Sequence, residues 1–243
     1  MHTLKIFIIY IYIMYFIRDE TKKVIFGWSA KCGCSHIKMI YKYLTKNIID
    51  FDKRHIGTHN QLGFIDDSYT IIIIIRNPFL RLISGFLEKY RINGQLRNKW
   101  KTKKVLNFKN FVDELVNNSK FIEKHHFTPQ LSEEWNDKIY SHKNLIIYDL
   151  ANIDYSFLEK LYNKKIPKNI LDYRGNFRTT EMKNKKVILK GNIRAYEIEL
   201  DKHELGSHYS YDLYYNKDIQ RKVLLFYKKD FDFFTKHGFN YSI

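Results

Sequence analysis

The feature that most limits how this chain can fold is a run of five isoleucines at positions 71–75, stopped by Arg76-Asn77-Pro78. β-Branched side chains favour extended backbone. An unbroken apolar run, rather than an alternating one, suits a strand covered on both faces, as in the parallel sheets of α/β proteins. Pro78 fits the first turn of a helix, and Phe79, Leu82, Ile83, Phe86, Leu87 and Tyr90 continue at helical spacing. A central strand running straight into a helix is therefore predicted here.

An equivalent unit precedes it. Residues 10–17 read as a strand, Arg18-Asp19-Glu20-Thr21 as a polar turn and residues 24–28 as a second strand. After a short loop at 31–35, Ile37, Ile40, Tyr41 and Leu44 fall at i, i+3, i+4 and i+7, the spacing of a helix. Downstream, residues 107–118 read as a helix, 144–148 as a third core strand and 155–162 as a helix after it. Residues 164–208 are polar and carry no clear period. Residues 209–236 read as helical and aromatic, with Ile219, Val223, Phe226, Tyr227, Phe231 and Phe234 on or near one face. Strands alternating with helices imply an α/β fold, a three-layer domain with a mostly parallel central sheet. With no internal repeat or linker-like stretch in 243 residues, a single domain over 1–243 is expected.

The apolar run from Ile6 to Ile17 has a second reading. It is shorter than the ~20 residues a transmembrane helix needs, and no small-residue cleavage site follows it. Its β-branched and aromatic residues favour a buried strand; a truncated membrane anchor is the alternative, so membrane association stays open.

Gly33 stands in Lys31-Cys32-Gly33-Cys34-Ser35, between a strand and a helix. Glycine lets backbone approach an anion closely, and the helix start supplies N–H groups and a favourable dipole. Lys31 adds a mobile charge and Ser35 a hydroxyl, so the loop suits a phosphate or sulfate. It is not a Walker A loop, in which the lysine comes near the end. An ordinary strand–helix turn is the plainer reading. Cys32, Cys34 and His36 also form a C-x-C-x-H cluster, to which His125 or His126 could add a ligand. Structural zinc sites usually place two to four residues between paired cysteines, so no metal is expected. The same close spacing is poor for a disulfide.

The second motif is Arg76-Asn77-Pro78-Phe79-Leu80-Arg81-Leu82-Ile83-Ser84. Ligands of open α/β sheets bind beyond the carboxyl ends of the strands, where Arg76 stands. Arg76 and Ser84 can serve one anion if the chain bends sharply at Pro78. Two strand-end anion sites suit a ligand with two separated anionic groups. A formal net charge of +16 agrees with an anionic partner but does not choose one.

Together these motifs resemble the donor-binding elements of the sulfotransferases. Lys31, Gly33, Cys34, Ser35 and Lys38 match the K-x-G-C-S-x-x-K variant of the 5′-phosphosulfate loop in Golgi-type carbohydrate sulfotransferases. Arg76, Pro78, Arg81, Ser84 and Phe86 resemble the R-D-P-x-x-R-x-x-S-x-F element for the 3′-phosphate. His126-Phe127-Thr128-Pro129-Gln130 resembles the family's H-W-x-P-Q segment, and the stretches around Tyr215, Asp218, Tyr227, Asp230, Phe231 and Phe234 resemble its closing helices. Ala30 replaces a usual Pro, Asn77 an Asp and Phe127 a Trp, none of them a charge that binds the donor directly.

The resemblance implies a P-loop-like sulfotransferase fold and transfer of a sulfuryl group from 3′-phosphoadenosine-5′-phosphosulfate (PAPS) to a hydroxyl of a carbohydrate or other acceptor, without a metal. It implies that Lys31, Cys32, Gly33, Cys34 and Ser35 bind the 5′-phosphosulfate, with Lys31 also neutralising the leaving phosphate, and that Arg76 and Ser84 bind the 3′-phosphate. Some relatives carry a base histidine just before the 3′-phosphate strand. That interval here holds His59, the preferred base, and His55, the next; His126 is the competitor. The other function class is a basic nucleic-acid-binding protein on an inactive α/β scaffold. No recognition-helix or aromatic RNA-binding pattern supports it, and no specific nucleic acid is expected.

Overall fold

In a computed structural model, the residues described are 14–46, 65–91, 93–118, 120, 122–131, 139–173, 193–203 and 209–243. Strand β1 (Met14–Asp19) and strand β2 (Val24–Ser29) form the expected hairpin, antiparallel with Met14 opposite Ser29. The turn falls slightly later than the charges suggest, because Arg18 and Asp19 stay in the strand. Arg18 Nη2 donates to the Tyr69 hydroxyl at 2.6 Å. Asp19 accepts the N–H groups of Thr21 and Lys22, and the Tyr162 hydroxyl at 2.6 Å. The run before Met14 lies outside the described residues, and among them no helix is long and apolar enough to cross a membrane.

Helix α1 (Cys34–Thr45) leads to strand β3 (Thr70–Ile75), which holds the isoleucine run, and β3 leads to helix α2 (Pro78–Tyr90). Strand β4 (Leu145–Asp149) completes the sheet. The order is β1-β2-β3-β4, with β2, β3 and β4 parallel. β3 is central, and none of its five isoleucines is more than 4% exposed. The period of two divides them between the faces. Ile72 and Ile74 join Phe26 and Trp28 beneath Ile37, Ile40, Tyr41 and Leu44 of α1, with Leu158 of helix α5 (Ser156–Tyr162) alongside. Ile71, Ile73 and Ile75 join Met14, Phe16 and Ile25 beneath Phe234 of helix α8 (Lys228–Lys236). Helices thus cover both faces of a mostly parallel sheet, as expected.

A further core lies among the helices. Phe86 and Tyr90 of α2 pack on Phe108 and Phe111 of helix α3 (Phe108–Val116) and on Phe127 of the short helix α4 (Lys124–Phe127), with Ile219 and Val223 of helix α7 (Lys217–Phe226) beside them. A Cβ on Gly85 would come within 2.6 Å of the Phe127 ring, so α2 and α4 meet at a glycine. Helix α6 (Lys168–Leu171) lies in the stretch without a clear period.

The aromatic stretch near the end of the chain departs from the single face expected. After a short 3-10 helix at Tyr211–Tyr214 it forms two α-helices, with Tyr227 at the break. Ile219, Val223 and Tyr227 belong to the helical core, whereas Phe234 reaches the sheet. Two polar anchors hold the break: the Tyr227 hydroxyl donates to the Phe127 carbonyl at 2.5 Å, and Asp230 accepts the N–H groups of Gln130 and Leu131 at 2.7 and 3.0 Å.

Candidate active site

Both motifs sit beyond the carboxyl ends of adjacent parallel strands, the first after β2 and the second after β3. Between β2 and α1 the chain takes two left-handed conformations, at Lys31 (φ 70°) and Gly33 (φ 83°). The second suits glycine. A Cβ on Gly33 would also lie 2.4 Å from Leu150 Cδ1, just past β4. The first is unusual for lysine, and the Lys31 carbonyl is held from across the sheet end by Arg76 Nη1 at 3.1 Å. An α-helix cannot satisfy its first N–H groups internally; on α1 the first backbone bond runs from Ile37 to the Gly33 carbonyl. The opening turn, with Cys34 and Ser35, follows the Lys31–Gly33 bend directly.

Arg76 is the point where the motifs meet. Burial disfavours its charge, Arg81 adds to that effect, and Tyr211, Cys32 and Asp149 pull the other way. Asn77 caps α2 by accepting the Phe79 N–H at 2.9 Å, and its amide donates to the Ser242 carbonyl at 3.0 Å. An aspartate could not make the second bond, which gives the departure at Asn77 a local reason. Arg81, only 1% exposed, donates to the Ala30 carbonyl at 2.9 Å and to the Thr128 carbonyl at 2.7 Å. Its side chain is thus a brace between the first loop and the segment after α4.

Arg81, Ser84, Gly85 and Glu88 share one stripe of α2 by their spacing of three and four residues. Its two ends contact the first loop: Arg81 holds Ala30, and Glu88 forms an ion pair with the Lys31 ammonium. Ser84 lies between them on that stripe, half-buried. Lys31 and Arg76 thus adjoin, and the stripe of α2 that carries Ser84 is tied to the same loop at both ends. Burial lowers the Lys31 pKa, Arg76 and Lys89 lower it further, and Glu88 opposes them.

Gln130 ties the motifs together. Its Oε1 accepts the Arg76 N–H and the Cys32 thiol, both at 2.9 Å, while its Nε2 donates to the Arg76 carbonyl at 2.7 Å. The Gln130 carbonyl accepts the Ser29 hydroxyl at 2.7 Å. One amide thereby fixes the ends of β2 and β3. Cys32 is buried in the loop, and burial pushes its thiol up to about 11. Cys34 is half-buried, and burial raises its pKa as well. His36 has its ring nitrogens on the Tyr173 carbonyl and the Tyr155 hydroxyl. Among the described residues no cluster of three metal-ligating side chains forms.

Of the candidate bases, His55 and His59 lie outside the described residues. His126 is oriented by Glu123, whose carboxylate accepts its Nδ1–H at 2.6 Å and its backbone N–H at 3.0 Å. Its Nε2 has no partner among the described residues. The neighbouring His125 pairs with the Tyr15 hydroxyl. Burial pushes the Glu123 carboxyl up, but His126 and the two backbone N–H groups outweigh it and hold it below its usual value.

Sequence reasoning passed over Glu88, Glu123 and the linking role of Gln130. Glu88 had a legible signal, standing one helical turn after Ser84 on the same stripe. The partners of Gln130, Cys32 and Arg76, lie 98 and 54 residues away in the chain, and no local pattern announces them.

Residues 14–237 match a family described as the sulfotransferase family. Curated proteins and solved structures give no match.

Proposed function

The chain therefore belongs to the sulfotransferase family and is a transferase of sulfuryl groups; from that premise we propose that it takes the group from PAPS and delivers it to a carbohydrate hydroxyl. One observation carries the reading: the Arg76 guanidinium reaches the Lys31 carbonyl, so two anion-binding segments adjoin at the carboxyl ends of neighbouring parallel strands. The residues present fit such a donor, since Lys31, Arg76 and the start of α1 stand together. The carbohydrate reading rests on the resemblance of the K-x-G-C-S and H-x-x-P-Q segments to those of carbohydrate sulfotransferases.

When bound, PAPS supplies the sulfuryl group and a phosphate leaving group. Lys31 and the backbone N–H groups at 33–35 hold its 5′ end, and Lys31 opposes the negative charge that grows there. Arg76 and Ser84 hold the 3′-phosphate, the feature that separates PAPS from ordinary adenine nucleotides. Catalysis of this kind rests on positioning and on electrostatic stabilisation, here within one domain spanning the chain. The proton of the acceptor hydroxyl goes to His59, with His55 next in preference. His126, already oriented by Glu123, is the competitor. Membership of an enzyme family favours this account over the nucleic-acid-binding alternative.

The test is incubation with radiolabelled PAPS and a panel of glycans. Label should pass to at least one glycan, and Lys31→Ala should abolish the transfer. His59→Ala should lower kcat by about 10²–10⁴-fold with donor affinity unchanged. Near-normal turnover in that variant, with a collapse in His126→Ala, moves the base to His126. Retention of all label by PAPS across hydroxyl acceptors of every class counts against the reading.

A further inference from the structure

An acidic side chain within a crevice built for a polyanion is out of place electrostatically. Glu88 is such a group. It pairs with the Lys31 ammonium, and its other oxygen lies 3.4 Å from Lys89 Nζ. The Lys31 side chain is 13% exposed and that of Glu88 33%, so the pair is shielded but stays open to an entering ligand. Lys89 is the less available partner, because its ammonium also donates to Gln95 at 2.8 Å.

The backbone of Lys31 is fixed by its left-handed turn and by Arg76, leaving the side chain as the movable part. The stripe of α2 that carries Glu88 also carries Ser84 and is anchored to the loop by Arg81. Glu88 therefore stands in fixed register with the residues that would hold the donor.

We propose that Glu88 is a positioning residue that holds the Lys31 ammonium in the crevice and yields it to the donor, so that donor binding is an exchange of ion pairs. This rests on the donor reading given above. The carboxylate compensates the burial of Lys31 while no anion is present. It keeps the ammonium charged and aimed, and it does so in competition with the donor. Burial would raise the Glu88 pKa, but Lys31 and then Lys89 outweigh it and hold it below its usual value, so the carboxylate is present at neutral pH.

The exchange makes a prediction opposite to that for a residue that merely supports the fold. Titration calorimetry with 3′-phosphoadenosine-5′-phosphate should show Glu88→Gln binding at least about fivefold tighter than the unsubstituted chain, within the usual range of coupling between sites. In a Lys31→Ala background the same substitution should gain little, because there is no ammonium to release. Circular dichroism of each variant checks that it is folded, and Glu88→Asp, which keeps the charge, should restore weaker binding. Equal or weaker binding by folded Glu88→Gln, or the same gain with and without Lys31, overturns the exchange while leaving the donor assignment standing. Absence of binding by every folded variant and by the unsubstituted chain removes both.

Discussion

Gln130 shows how much of the site depends on side chains that hold other residues in place. It is 2% exposed, and its amide serves the Cys32 thiol and both backbone groups of Arg76. Buried polar groups that lose a partner cost about 1–3 kcal/mol each. Gln130→Ala strands more than one, so a loss of about 2–4 kcal/mol is expected in denaturant unfolding. Donor affinity should fall as well, since Arg76 loses its brace; unchanged stability and affinity would mean that the ends of β2 and β3 are held by something else. Asp230 gives a second prediction at this scale. Burial raises its pKa to about 6, against the opposing pull of the Gln130 and Leu131 N–H groups and of Arg81. The folded protein thus holds a proton that the unfolded chain releases above about pH 4. Its contribution to stability is complete below that pH and is lost as pH rises through about 6, at about 1.4 kcal/mol for each pH unit between the unfolded and folded pKa values. Asp230→Asn should be less stable at pH 4, because one N–H partner is lost, yet its stability should fall less between pH 4 and 6. Parallel profiles from unfolding titrations across that range would remove Asp230 as the cause.

At the scale of elements, the strand–helix units were the most legible part of the chain. Five isoleucines ending at Arg76-Asn77-Pro78 leave little choice but a doubly covered strand and a helix that starts at the proline, and both form as expected. The hairpin and α1 follow from equally local patterns. The break at Tyr227 was not legible, because its cause is tertiary: Phe127, Gln130 and Leu131 receive Tyr227 and Asp230 from about 100 residues away. The site shows the same division. Lys31 and Arg76 stand out by position at strand ends and Ser84 by its place on the helix that follows Arg76, whereas the pairing of Glu88 with Lys31, 57 residues away, is supplied by the fold. Because β3 lies between two packed faces, Ile72→Ala should cost about 2–5 kcal/mol, as large-to-small core substitutions do. A change in unfolding midpoint corresponding to less than about 1 kcal/mol would mean that the α1 face of the sheet repacks freely, which a close-packed interior does not readily do.

For the molecule as a whole, two layers of helix hold a mostly parallel sheet, and Lys31, Arg76 and the start of α1 come together beyond the ends of β2 and β3. The excess of positive charge adds a long-range attraction for anions that salt screens, but in the function proposed above the specific requirement for a 3′-phosphate would belong to Arg76 and Ser84. That proposal has those two residues separate the donor from AMP and ATP, and the separation is its centre. The most direct test is the shift in melting temperature produced by 3′-phosphoadenosine-5′-phosphate, 5′-AMP and ATP at equal concentrations, since a ligand that binds only the folded state raises it by mass action. The account predicts a clear rise with the first, little with the other two, and loss of most of that rise in Arg76→Ala; an equal rise with 5′-AMP would contradict it.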